Sequence, residues 1–257
     1  MLKKGILSLL CLNLFNLSSS FALSPNNGVY GGLNLGASYV PALSATFLSP
    51  FIQNQLATNG AYASYFQQNG ITSTVDAQLN YSNFGQIGGQ LGYRWDQFRL
   101  ELEYFYNQTN YGSIQVNNKT ILSTNTTSQA YFKGATTTNA GFVNFLVDML
   151  PPLYVDSNFA PFIGVGVGYA YLKNDPTFYL TKQNVSGYEY NKTRTKYAGQ
   201  VMVGALWFMD DFSYFGLDFR YFSTGKLSGN LPNQQQINIF YQILSINLTY
   251  NASFEFG

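Results

Sequence analysis

Six ionisable side chains gather in two stretches of this chain: Arg94, Arg99, Glu101 and Glu103 in one, Asp218 and Arg220 in the other. A spacing of two puts Arg99, Glu101 and Glu103 on one face of a strand, and Asp218 and Arg220 on one face of another. Carboxylates and guanidiniums gathered in an enclosed space can pair as a structural salt-bridge plug. They can also line a narrow or gated ion path. Catalysis is not expected of them. The chain has no histidine, and its single cysteine, Cys11, lies near the N-terminus. That removes the usual zinc ligands, the Ser-His and Cys-His nucleophile pairs, and the default general base at neutral pH. No metal and no cofactor is expected. The run Gly164-Val165-Gly166-Val167-Gly168 is not a phosphate loop, which would open a helix after a strand. These glycines fall at period two inside a strand, leaving room for bulky inward neighbours such as Leu146, Met202, Leu206 and Phe208.

The elements that must position the charges begin with one hairpin. Ile87, Gly89, Leu91, Tyr93 and Trp95, then Phe98, Leu100, Leu102, Tyr104 and Tyr106, form one face. Gln86, Gly88, Gln90, Gly92 and Arg94, then Arg99, Glu101, Glu103 and Phe105, form the other. Alternation on both sides of Asp96-Gln97 predicts two strands joined by a tight turn. The same pattern predicts strands over residues 28–40, 141–150, 159–172, 195–208, 212–222 and 237–256. Eight strands result, and their connections alternate long and short. Segments 41–83, 107–139, 173–194 and 223–236 are read as long polar loops, with room for a short helix over 43–56. The expected fold class is all-β: an eight-stranded antiparallel up-and-down transmembrane β-barrel with four long extracellular loops. Its apolar face would look at lipid and its Arg/Glu face at the interior. The aromatics sort with that geometry. Tyr93, Trp95, Phe98, Trp207, Phe254 and Phe256 lie near the short turns, and Tyr39, Tyr104, Tyr106, Tyr169, Tyr171, Tyr197 and Tyr221 near the long loops.

Composition agrees. The 257 residues are 46% hydrophobic and 18% aromatic but only 10% charged, against roughly a quarter charged in soluble domains. Past the N-terminus no apolar run of about 18 residues appears, and a membrane chain without a helical span crosses as a closed barrel. Residues 1–22 read as a signal peptide: Lys3 and Lys4, an apolar stretch from Gly5 to Leu17, and a small-residue exit at Ser18 to Ala22. Residues 23–257 are then one barrel, and the mature chain has no cysteine, hence no disulfide. Without Lys3 and Lys4 there are 11 basic residues against 12 acidic. No nucleic-acid partner is expected from that balance.

Three stretches carry a resemblance. Gly88-Gly89-Gln90-Leu91-Gly92-Tyr93-Arg94 with Phe98-Arg99-Leu100-Glu101-Leu102-Glu103-Tyr104 resembles the second hairpin of bacterial surface-antigen and opacity-type barrels. Phe159-Ala160-Pro161-Phe162-Ile163-Gly164-Val165-Gly166-Val167-Gly168-Tyr169 resembles their fifth strand, and Phe254-Glu255-Phe256 is similar to the C-terminal signal of barrel-assembly machinery. The resemblance covers the strands and none of the loops. It implies an eight-stranded outer-membrane barrel of a Gram-negative bacterium, often an antigen or adhesin, and transfers no functional site. Expected partners are outer-membrane lipid and lipopolysaccharide, the assembly machinery, and a host or cell-surface ligand. The expected location is the cell outer membrane, loops extracellular and termini periplasmic. About 110 residues of polar loop on so small a barrel favour surface contact by an antigen or adhesin. The alternatives are a structural envelope protein and a narrow porin-like channel for ions or small solutes.

Overall fold

Side chains that alternate apolar and polar bury one face and expose the other, so each such run becomes a strand with fixed sidedness. The computed structural model describes residues 27–44, 68, 77–82, 84–116, 119–123, 125–126, 130–149, 158–180, 185–189, 192–230 and 236–254. Eight of its strands form the barrel: β1 (Gly28–Tyr39), β2 (Phe84–Trp95), β3 (Phe98–Val116), β4 (Ala135–Asp148), β5 (Phe159–Asn174), β6 (Lys192–Phe208), β7 (Ser213–Thr224) and β8 (Gln242–Phe254). Each pairs antiparallel with the next in chain order. The last returns to the first, with Val29 opposite Phe254 and Tyr39 opposite Leu244. The sheet therefore closes and its wall has no free edge. At the β2–β3 turn Asp96 has a φ of 52°, a left-handed conformation that aspartate tolerates better than most residues. Asn27 clasps it, accepting from the Asp96 amide at 2.6 Å and donating to its carboxylate at 3.1 Å.

Sidedness follows the alternation. Leu100, Leu102, Phe219 and Tyr221 are exposed on the outer wall, while Glu101, Glu103, Asp218 and Arg220 are buried inside. Tyr39, Tyr104, Tyr106, Tyr169, Tyr171, Tyr197 and Tyr221 are exposed towards the long connections, and Tyr93, Trp95, Trp207 and Phe254 towards the short turns. Inside, Tyr30, Leu146, Phe162, Met202, Leu206, Phe208 and Tyr214 fill the short-turn end. Phe105, Phe142, Leu172, Phe222, Tyr241 and Ile243 fill the other. Glu103, Asp218 and Arg220 lie between them, while Arg94 and Arg99 lie among the rings of the short-turn cluster. Gly164 is needed there, since a Cβ would stand 2.9 Å from Leu146 Cγ and 3.2 Å from Met202 Cε.

The long connections hold more strand than their composition suggests. β3 continues past Tyr106 to Val116, and β4 begins at Ala135, so much of the 107–139 tract is sheet rather than loop. Asn107, Thr109, Tyr111, Thr136 and Thr138 are buried on the inner face. Burial alternates there, but polar side chains occupy both faces, so hydrophobicity does not. β-branched threonine suits a strand in any case. Above the barrel Ala77–Ser82 pairs with β3, Lys119–Ser123 pairs with β3 on its other edge, and Ala130–Lys133, Thr177–Leu180 and Val185–Glu189 extend the same sheet. Leu43 and Ser44, placed in a possible helix by their composition, form a short strand against Leu79 and Gln78. Residues 45–56 of that expected helix lie outside the described residues.

The last strand is also shorter than the 237–256 run. Gln236–Ile239 pairs with Leu227–Asn230 as a separate hairpin. The break follows from Tyr241, which is buried in the upper cluster while its amide donates to Thr224 Oγ1 at 3.1 Å. Residues 1–22 and Glu255 to Gly257 lie outside the described residues.

Candidate functional site: the barrel interior

The interior charges sort into two groups. In the lower one, β2 carries Arg94 and β3 carries Arg99, both aimed at Asp148 at the end of β4. Arg94 Nη2 lies 3.0 Å from Asp148 Oδ2, and Arg99 Nη2 lies 2.8 Å from Oδ1. Arg99 Nη1 also reaches Glu101 Oε1 at 2.9 Å, and that oxygen accepts the Tyr30 hydroxyl at 2.6 Å. Rings cover the guanidiniums: Arg94 lies 5.3 Å from the Phe208 centroid and 4.8 Å from that of Tyr214, and Arg99 lies 4.9 Å from that of Phe162. Such contacts repay part of the cost of taking the cations out of water.

The second group is centred on Glu103 of β3. Arg220 Nη1 of β7 contacts its Oε1, which also accepts Asn34 Nδ2 at 3.2 Å. Its Oε2 accepts Asn144 and Gln200, both at 2.8 Å. Arg220 also touches its strand neighbour Asp218, Nε to Oδ1 at 3.3 Å, and Asp218 accepts Asn247 Nδ2 at 2.9 Å. Residues from β1, β3, β4, β6, β7 and β8 thus meet across the lumen.

Of the six charged residues singled out in the sequence, Arg99 pairs with Glu101, and Arg220 with Glu103 and Asp218, but Arg94 pairs with none of the other five. Its carboxylate is Asp148, whose side chain is wholly buried. Asp148 has the same parity on β4 as Asn144 and Leu146, and that parity is the signal for it. The neutral partners Asn34, Asn144, Gln200 and Asn247 share the inward parity of their strands. Which of them would reach Glu103 depends on the stagger between strands, which alternation does not encode.

Among the described residues the interior leaves little space. A cavity of about 20 Å³ lies beside Glu101, Glu103, Asp218 and Arg220, room for about one water molecule. Above it Phe105, Phe142 and Phe222 close on one another, with centroids 5.9, 5.7 and 5.9 Å apart. Three rings on three strands cross the lumen. This is a filled barrel. No family model matches the chain, and no curated protein matches it either. Solved structures do resemble it. Neisserial surface protein A is 12% identical over 88% of this chain and 97% of that one, with a TM-score of 0.46. OprG, an outer-membrane protein of Pseudomonas aeruginosa, is 13% identical over 90% and 99%, with a TM-score of 0.49. Ail, the attachment invasion locus protein of Yersinia pestis, is 10% identical over 89% and 100%, with a TM-score of 0.37.

Proposed function

We propose that this chain is an outer-membrane surface protein, an antigen or adhesin whose filled barrel is a pedestal for the polar sheet and loops above it. Its outer wall supports the membrane location. Leu33, Val167 and Tyr197 are each 71% exposed, within a belt of leucine, valine, isoleucine and aromatic side chains that runs round every strand. An apolar surface that size is untenable in water and suits a lipid-facing wall with its aromatic girdles. The observation that carries the surface-contact reading is a contrast between lumen and exterior. The lumen is plugged by paired charges and three phenylalanines. The exterior has its own architecture, β3 continuing into a sheet with Ala77–Ser82, Lys119–Ser123, Ala130–Lys133 and Thr177–Leu180. A plugged barrel offers its ends, not its middle, and long connections on a rigid scaffold are where binding resides.

Replacing residues 45–76 with a short turn tests this while leaving Leu43–Ser44 paired with Ala77–Ser82. Cells displaying the shortened protein should lose adherence to host or neighbouring cells, with barrel assembly unchanged by heat-dependent gel mobility. Retained adherence with impaired envelope integrity would instead favour a structural role. In planar bilayers the intact protein should give no steady conductance. Selective openings that shift with Glu103→Gln would point to the channel alternative.

A further inference from the structure

Several glycines of the wall, the inward Gly164 among them, have no room for a side chain. Gly141 faces outward on β4 and has ample room, since a Cβ there would come no closer than 3.9 Å to a neighbouring atom. Nothing in the barrel requires glycine at that position, and glycine weakens a strand. Its effect is a notch. Tyr104 and Tyr169 stand opposite Gly141 on the two flanking strands, and below it Val143 lies between Leu102 and Val167. These residues lie in an open apolar hollow of the outer wall, about 1060 Å³ in all, that also takes in Gly89, Leu91 and Tyr197 on neighbouring strands. Above it the wall turns polar: Asn139, the next outward residue of β4, accepts the Tyr104 hydroxyl at 2.7 Å. Higher still, Lys173 is half exposed beside Asp175 at 3.7 Å, with its backbone opposite Thr137, about 13 Å along the strand from Gly141.

We propose that this groove is a lipid-binding site that seats one acyl chain of an anionic lipid from the leaflet on the long-loop side, its headgroup beside Asn139 and Lys173. The inference rests on the membrane-barrel reading. The shape and polarity of the groove point to an amphipathic occupant. The apolar hollow at Gly141 lies below the polar Asn139, and the Lys173 ammonium, beside Asp175, stands above both at the height of a headgroup. Packing against fixed walls at Gly141 would hold that chain longer than the lipid around it.

The test uses the full barrel in nanodiscs of spin-labelled phosphatidylglycerol, with motionally restricted lipid counted by electron spin resonance. Gly141→Leu fills the notch and should lose the retained lipid. Tyr169→Ala removes a wall and should do the same, covering the case in which the leucine variant fails to assemble. Ile163→Leu, an outward change on β5 away from the groove, should retain it. Lys173→Gln should keep the chain but lose the preference for phosphatidylglycerol over phosphatidylcholine. Equal retention by wild type and both groove variants overturns the proposal, as does an unchanged headgroup preference in Lys173→Gln. A dimer that Gly141→Leu abolishes would make the occupant a second barrel and overturns it too. Failure of the wild type to insert into bilayers would instead refute the membrane reading itself.

Discussion

Glu101 and Glu103 differ by two positions and share a lumen, yet removing their charges should have unequal effects. Glu103 uses both carboxylate oxygens, accepting from Arg220, Asn34, Asn144 and Gln200. Glu101 receives Arg99 and Tyr30 on a single oxygen. A glutamine at 101 can keep that oxygen as an acceptor, whereas at 103 its amide NH2 meets other donors. Glu103→Gln should therefore destabilise the barrel by about 3–5 kcal/mol, the usual cost of breaking a buried pair, and Glu101→Gln by clearly less. Equilibrium unfolding in detergent or bilayers ranks the two, and equal losses would show that the contacts of Glu103 are not the stronger set. A double-mutant cycle of Arg220→Met with Glu103→Leu should show coupling, the pair costing less than the sum of its single changes. The inward position of every one of these residues was legible from alternation. The Arg94–Asp148 pair was not, because parity fixes a face but not the stagger that brings one strand's end beside another's middle.

At the scale of the element, β3 and the β6–β7 hairpin make separate predictions. β3 stays paired beyond Tyr106: Asn107 to Asn110 face β4 on one side, and Asn110 to Val116 face Ala77–Ser82 on the other. Hydrogen exchange of amides 107–116 should be as slow as in barrel strands and not as fast as in a loop. That extension was hidden in the sequence. Thr109, Tyr111 and Thr136 alternate in burial without alternating in polarity, and only the apolar half of β3 shows the period of two. In the β6–β7 turn, Asp210 Oδ1 accepts the amides of Phe212 and Ser213 at 2.8 and 2.6 Å, and its Oδ2 accepts the Ser213 hydroxyl at 2.9 Å. These bonds, the Phe212 amide first, hold its carboxyl below the ordinary aspartate range, which is about 3.9 in unfolded chains. A depressed value means that the turn is stabilised above the unfolded pKa and loses that help as pH falls through the folded one. A carbon NMR titration should place the Asp210 midpoint below the ordinary value. A midpoint at or above it would show those bonds absent in solution.

For the whole molecule, the closed ring of strands was the most legible feature, because eight alternating runs with connections of alternating length leave few other architectures. The arrangement above the ring was not, since solvated polar sheet and solvated polar loop have much the same composition. Closure carries a kinetic consequence. The seam joins β1 to β8, so Val29 meets Phe254 and Leu35 meets Leu248, contacts separated by almost the full length of the described chain. Every other barrel pairing is between successive strands and can form as a local hairpin or meander. Sealing the ring is the one step that bears the loop-closure entropy of the entire chain, and such non-local pairing is slow. Until it happens β1 and one flank of the growing sheet have unpaired backbone, which hydrocarbon does not tolerate. Assembly should thus be all-or-none at its last strand. A chain ending before Gln242 should give no partly inserted barrel, only material cleared by proteolysis, and a cross-link between positions 35 and 248 should form in the same time window in which protease resistance appears.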